Sequence, residues 1–119
     1  MAVDWCDGSK ESLRDAIGSF AGRMQQRKAL EGMEAKITRL ERGEKLSRST
    51  VRAEGFLPDG ARFFALVHRQ LRCYFWTQGG TCYVSHFRYK KKQKLDSSDT
   101  QKVQANWRRV NGNSSERQP

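Results

Sequence analysis

Residues 72–93, RCYFWTQGGTCYVSHFRYKKKQ, read as a β-hairpin that runs out into a basic segment, and the rest of the chain is organised around them. The flanks 71–76 and 81–87 are rich in aromatic and β-branched residues, the strand formers. Between them lies Gln78-Gly79-Gly80, and adjacent glycines supply the positive φ that a tight hairpin turn needs. The second strand leads into Tyr89, Lys90, Lys91 and Lys92, with Lys94 close behind. Cations fixed on a sheet at Arg72, Arg88 and this lysine run suit a polyanion, and His86 and Tyr89 add two groups able to move protons. Whether Arg72 and His86 share a face depends on the turn register, because a slip of one residue turns every side chain over.

Outward from the hairpin, charge is the strongest global signal. The chain of 119 residues carries 23 Lys and Arg against 13 Asp and Glu, a net charge of +10. Residues 1–60 hold 11 basic and 10 acidic side chains; residues 61–119 hold 12 and 3. The N-terminal half resembles an ordinary solvated helical surface, and the C-terminal half has the footprint of a nucleic-acid binder. Only 36% of residues are hydrophobic, and no window approaches the roughly 18 apolar residues of a membrane helix. The start, MAVDWCDGSKES, lacks a basic segment followed by an apolar run, so a cytoplasmic location and no membrane partner are expected. Cys6, Cys73 and Cys82 are odd in number without C-x-x-C spacing, and read as reduced core thiols.

Residues 2–5 are apolar enough for a short edge strand. From Ser9, a candidate cap, Leu13, Ala16, Ile17, Phe20, Ala21 and Met24 recur at helical spacing; Leu30, Met33, Ile37 and Leu40 form a second stripe, closed by Gly43. Gly22 is the expected break of a helical hairpin, with one long bent helix as the alternative. Beyond Gly43 the period falls to two: strands at 50–56 and 61–67 flank Leu57-Pro58-Asp59-Gly60, a turn sequence. His68 falls in the next turn. Asp96-Ser97-Ser98-Asp99 resembles a capping box, and a last helix to about Arg109 docks through Val103 and Trp107. The expected fold is α+β: an N-terminal helical hairpin packed on a four-stranded antiparallel β-meander with a short C-terminal helix. Residues 1–110 form one domain, and the polar residues 111–119 read as a disordered tail.

This order of elements resembles the RelE/ParE superfamily of bacterial toxins, within it the HigB-like branch. The segment His86-Phe87-Arg88-Tyr89-Lys90-Lys91-Lys92-Gln93-Lys94 aligns without gaps with that branch's H-G-F-x-K-K-T-Q-K-T-P, Leu71-Arg72-Cys73-Tyr74-Phe75 is similar to its I-R-V-L-Y-F strand, and Gly43-Glu44-Lys45-Leu46 to its G-x-x-L. Phe63-Phe64-Ala65-Leu66-Val67 departs from the family's W-E-L-R-V, having neither its acid nor its arginine. The resemblance implies the toxin of a toxin–antitoxin pair, a metal-independent, cofactor-free endoribonuclease that cuts mRNA on the ribosome. An acidic antitoxin of helix-turn-helix type is the implied protein partner. Cleavage requires a base for the ribose 2′-hydroxyl, charge stabilisation of the phosphorane and an acid for the 5′-oxygen. Arg72 is the candidate phosphate clamp, Lys91 and Lys92 the flanking cations, His86 the acid or base, and Tyr89 a stacking or proton-donating group. Arg69, Arg88, Lys90 and Lys94 are candidate RNA contacts. Two alternatives stand beside this: a non-catalytic inhibitor such as the gyrase-poisoning ParE branch, which the lysine run disfavours, and a basic RNA- or ribosome-binding module whose nuclease site has decayed.

Overall fold

The structure, a computed structural model, describes residues 1–92 and 94–116. The elements follow in the order β1 (Ala2–Trp5), α1 (Ser9–Gly18), α2 (Arg23–Glu41), β2 (Val51–Phe56), β3 (Arg62–His68), β4 (Leu71–Gln78), β5 (Thr81–Tyr89) and α3 (Ser97–Glu116). The fold is α+β. Strands β2 to β5 form the antiparallel meander, and Gly79 and Gly80, at φ 57° and 80°, make the turn between β4 and β5.

The sheet is nevertheless five-stranded and mixed rather than a four-stranded antiparallel meander, because β1 adds to it beside β5 in parallel, in the order β1-β5-β4-β3-β2. Parallel neighbours need a long crossover, and here everything from α1 to β4 lies between them. Val3 and Trp5 turn half-buried side chains into the helix-side core, which holds this short edge strand in place.

Gly22, at φ 81°, separates α1 from α2 as expected. Ser9 is not the cap of α1; Gly8 occupies that position, and Ser9 is a buried first-turn residue. Asp96 does cap α3, its Oδ1 accepting from the Ser98 amide at 3.0 Å. The helix runs past Arg109 into the segment read as a tail, through residues 111–116, while residues 117–119 lie outside the described residues. Asn111 helps carry it onward by donating to the Trp107 carbonyl at 3.0 Å and to Gln78 Oε1 at 3.1 Å, pinning the helix to the end of β4. Among the described residues no helix is long and apolar enough to cross a membrane.

Each face of the sheet has its own core. On one, Leu66, Leu71, Cys73, Phe75, Cys82, Val84 and Phe87 meet Ala16, Phe20, Ala29, Met33 and Ile37 of the helical hairpin. On the other, Phe63, Ala65, Tyr74 and Trp76 lie with Leu57 and Val103, and Trp107 packs at the margin. Cys73 and Cys82 are buried free thiols, and burial pushes the pKa of both up.

His68 is more than a turn residue. It ends β3 against α2 at Gly32, where an added Cβ would fall 2.0 Å from the ring Nε2. Burial, then the Lys36 and Arg69 charges, lower its pKa, favouring the neutral ring. Gly32→Ala is therefore expected to destabilise the fold by about 1–3 kcal/mol. Gly18→Ala, with no atom within 4 Å of the new Cβ, should instead stabilise by up to about 1 kcal/mol. Denaturant midpoints of the two variants give the comparison.

Candidate functional site

The register that the sequence left open is set by the β4–β5 pairing. Arg72 lies opposite Arg88 and Tyr74 opposite His86, so all four stand on the α3 face. Between Tyr74 and Phe75 the ladder slips, and Ser85 is the extra residue of a β-bulge. The slip restarts the alternation, which is why Val84 and Phe87 both face the helical hairpin while His86 does not. Tyr89 follows Phe87. Its ring meets Phe20 edge-to-face at 4.9 Å on the helical-hairpin side of the sheet, so it does not join Arg72 and His86. Tyr74 is the tyrosine beside His86, stacked on the imidazole at 4.9 Å with 25° between the planes.

His86 is 4% exposed and both its ring nitrogens are engaged. Nε2 lies 2.9 Å from Asp99 Oδ1, and Nδ1 lies 2.9 Å from Ser85 Oγ. Asn106 Nδ2 in turn donates to Ser85 Oγ at 2.9 Å and to the Ser85 carbonyl at 3.2 Å. Burial pushes the Asp99 carboxyl up, yet the hydrogen bond from His86 and the charges of Arg88, His86 and Lys90 outweigh it and hold its pKa below the ordinary value. An ionised carboxylate only accepts, so Nε2 carries a proton toward Asp99, and Nδ1 shares the other hydrogen bond with the Ser85 hydroxyl. Asp99 thus serves as more than the acid that starts a helix. It turns inward and fastens α3 to β5.

Arg72, 3% exposed, donates from Nη1 to the carbonyls of Arg69 at 2.6 Å and Leu71 at 3.2 Å. Burial lowers its pKa, with Arg52 acting in the same direction against Tyr74 and Glu54. Arg69, in the β3–β4 turn at φ 55°, reaches across to Gln25 Oε1 at 2.7 Å. The lysines divide. Lys90, with a side chain 8% exposed, donates to the Lys94 carbonyl and lies 3.7 Å from Asp99 Oδ2. It is held in place, whereas Lys91, Lys92 and Lys94 are exposed on the loop to α3. Residues 90, 92 and 94–97 line a cleft of about 500 Å³ there. Arg88 is paired with Asp96 at 2.8 Å.

Two further residues belong to this face. Arg52 pairs with Ala65, a residue of the α3-side core; the β2–β3 ladder slips between Ala53 and Phe56, and Glu54 lies there within the field of Arg52, Lys90, Arg72 and Asp99 of the same face. Burial raises the half-buried Glu54 carboxyl; Arg52, Lys90 and Arg72 oppose the rise and Asp99 adds to it. An acid and an arginine are therefore present, on β2 rather than on the strand where the resemblance places them. In the sequence their sign is the spacing Arg52-Ala53-Glu54, and the slip that begins there gives no local mark of its own.

The arrangement has the parts for phosphodiester chemistry. A carboxylate of raised pKa can serve as base, Arg72 and Lys90 supply fixed positive charge, and the exposed lysines supply attraction. A scan against protein-family models finds no match to this chain, and a search of the curated proteins finds no significant relative.

Proposed function

We propose that the chain is the toxin of a RelE/ParE-like pair, an endoribonuclease that cuts mRNA on the ribosome without a metal, and that an acidic antitoxin restrains it. The observation that carries this is the shared face of Glu54, Arg72 and Lys90 beside the exposed Lys91–Lys92 pair. In the proposed reaction Glu54 takes the proton of a ribose 2′-hydroxyl, and the oxygen attacks the adjacent phosphorus. Arg72, at the floor, and Lys90 stabilise the charge that develops on the phosphorane. An ammonium of the Lys91–Lys92 pair protonates the departing 5′-oxygen, leaving a 2′,3′-cyclic phosphate. His86 does not exchange protons with the substrate; it positions Asp99, and through it Lys90 and Arg88. Tyr89 has no part in the chemistry.

Few groups are available to orient a flexible strand, so the ribosome must do so. The purified protein is expected to leave naked RNA nearly intact and to cut mRNA on translating ribosomes, read by primer extension. Efficient cleavage of free RNA argues against the proposal. The burial and internal bonding of Arg72 and His86 favour one other reading, a basic ribosome- or RNA-binding module without cleavage. Salt-sensitive ribosome binding without any cut would support that reading instead.

A further inference from the structure

The cations of α3 face a second region that the proposed reaction leaves unused. Two clefts adjoin at the β1–α1 end of the molecule, of about 230 and 290 Å³, and share Asp7, Asn106 and Arg109. The first is bounded by Gly8 and Ser12 at the start of α1, by Ser85 and His86 at the bulge, and by Lys102 and Arg109 of α3. Its floor consists of built, buried polar groups: Ser85, His86 and Asn106 are 0%, 4% and 7% exposed, and all are held in one hydrogen-bond chain. Lys102 and Arg109 are seven residues apart, two turns on one face of the helix, and neither has an ion pair among the described residues. The α1 cap, Gly8, offers no side chain to the first-turn amides on the opposite wall. Positive charge from Lys102, Arg109 and the start of α1 therefore meets in the first cleft, with Asp7 the one acid on its lining.

The second cleft has a different character. Tyr83 lines it from the α3 face of the sheet, its ring stiffened by stacking on Trp76 at 5.1 Å, while the Trp5 ring stacks on Phe87 in the helix-side core. Asp4 and Asp7, also without ion pairs among the described residues, line it as acceptors. A flat aromatic ring beside carboxylates suits a base that carries N–H donors, as an adjoining cationic cleft suits a phosphate. We infer that the joined clefts between β1, α1 and α3 bind a nucleoside monophosphate, free or as the end of an RNA chain, with its phosphate at Lys102 and Arg109 and its base against Tyr83 and the two aspartates. Guanine is favoured, because its ring N–H and amino group lie side by side and can both donate to one carboxylate. The site lies across the bulge from Glu54 and does not depend on RNA cleavage.

The test is a titration of the full chain with guanosine 5′-monophosphate, guanosine, uridine 5′-monophosphate and inorganic phosphate, followed by amide NMR shifts. Guanosine monophosphate should saturate shifts at the amides of Gly8, Ser12, Lys102 and Tyr83, with each of the other three at least about tenfold weaker. An RNA oligonucleotide with a terminal guanosine 5′-phosphate, run beside one without that phosphate, distinguishes a chain end from a free nucleotide. Lys102→Gln and Arg109→Gln, both at exposed positions, should each weaken binding by about 10- to 100-fold with thermal stability retained. No saturation, shifts confined to the lysine loop, phosphate binding as well as the nucleotide, or undiminished binding by both variants would overturn the assignment.

Discussion

Asp99→Ala should lower the free energy of unfolding by about 3–5 kcal/mol, a larger loss than any other single truncation on this face. The carboxylate is fully buried, 2.9 Å from His86 Nε2, 3.7 Å from Lys90 Nζ and 3.8 Å from Arg88 Nε. Removing it leaves one N–H donor and two cations around a space that holds no counter-charge. Because α3 docks through few apolar groups, chiefly Val103 and Trp107, the damage should concentrate there. Amide exchange along 97–112 should accelerate before the meander loosens. The same pair sets an acid limit. The folded pKa of Asp99 is depressed, so its stabilisation is complete above the unfolded carboxylate pKa of about 3.9. It is lost as pH falls through the lower folded value. Acid unfolding of the wild type should begin at α3, and in Asp99→Asn that pH-dependent component should vanish. An Asp99→Ala variant as stable as wild type would mean that the buried chain does not hold α3.

The second large effect separates chemistry from attraction. Arg72 is held by two carbonyls at the floor of the face, and a fixed charge acts mainly in the transition state. Arg72→Ala is expected to cut the single-turnover rate on ribosomes by about 100- to 1,000-fold while ribosome affinity changes little. Since it also loses two hydrogen bonds, Arg72→Lys and a melting curve accompany it. Replacing exposed Lys94 by Gln should do the reverse, because Lys91 and Lys92 supply the proposed acid and Lys94 does not. Affinity falls and its salt dependence flattens, each lost phosphate contact taking roughly one unit from the slope. Lys90 would not serve in its place. With its ammonium on the Lys94 carbonyl and near Asp99, its loss would disturb the fold as well as the charge.

The meander was legible because it rests on local signals, namely aromatic and β-branched runs separated by Leu57-Pro58-Asp59-Gly60 and by Gly79-Gly80. The helical hairpin was legible from its two apolar stripes and Gly22. Other features were not. The partnership of β1 with β5 joins residues about eighty positions apart and leaves no local trace. The Ser85 bulge was hidden as well, since no turn residue marks it, yet it decides that His86 faces α3 and Tyr89 faces Phe20. A lone histidine in a strand gave no sign of Asp99 or Asn106, which meet it only once α3 docks. Glu54 passed unremarked because the resemblance directed attention to the following strand.

Glu54 offers the most direct test of the central claim, because it is half-buried on an edge strand and Gln keeps its shape. The measurement is single-turnover cleavage of mRNA on translating ribosomes by wild type and Glu54→Gln, with pH varied and binding followed in parallel. Wild type should give discrete cuts ending in 2′,3′-cyclic phosphates, at a rate that rises with pH through the elevated Glu54 pKa. Glu54→Gln should bind as tightly, cut about 100-fold more slowly and lose that rise. Absence of any cut by wild type, or a variant that cuts at the wild-type rate with the same pH profile, would contradict the account.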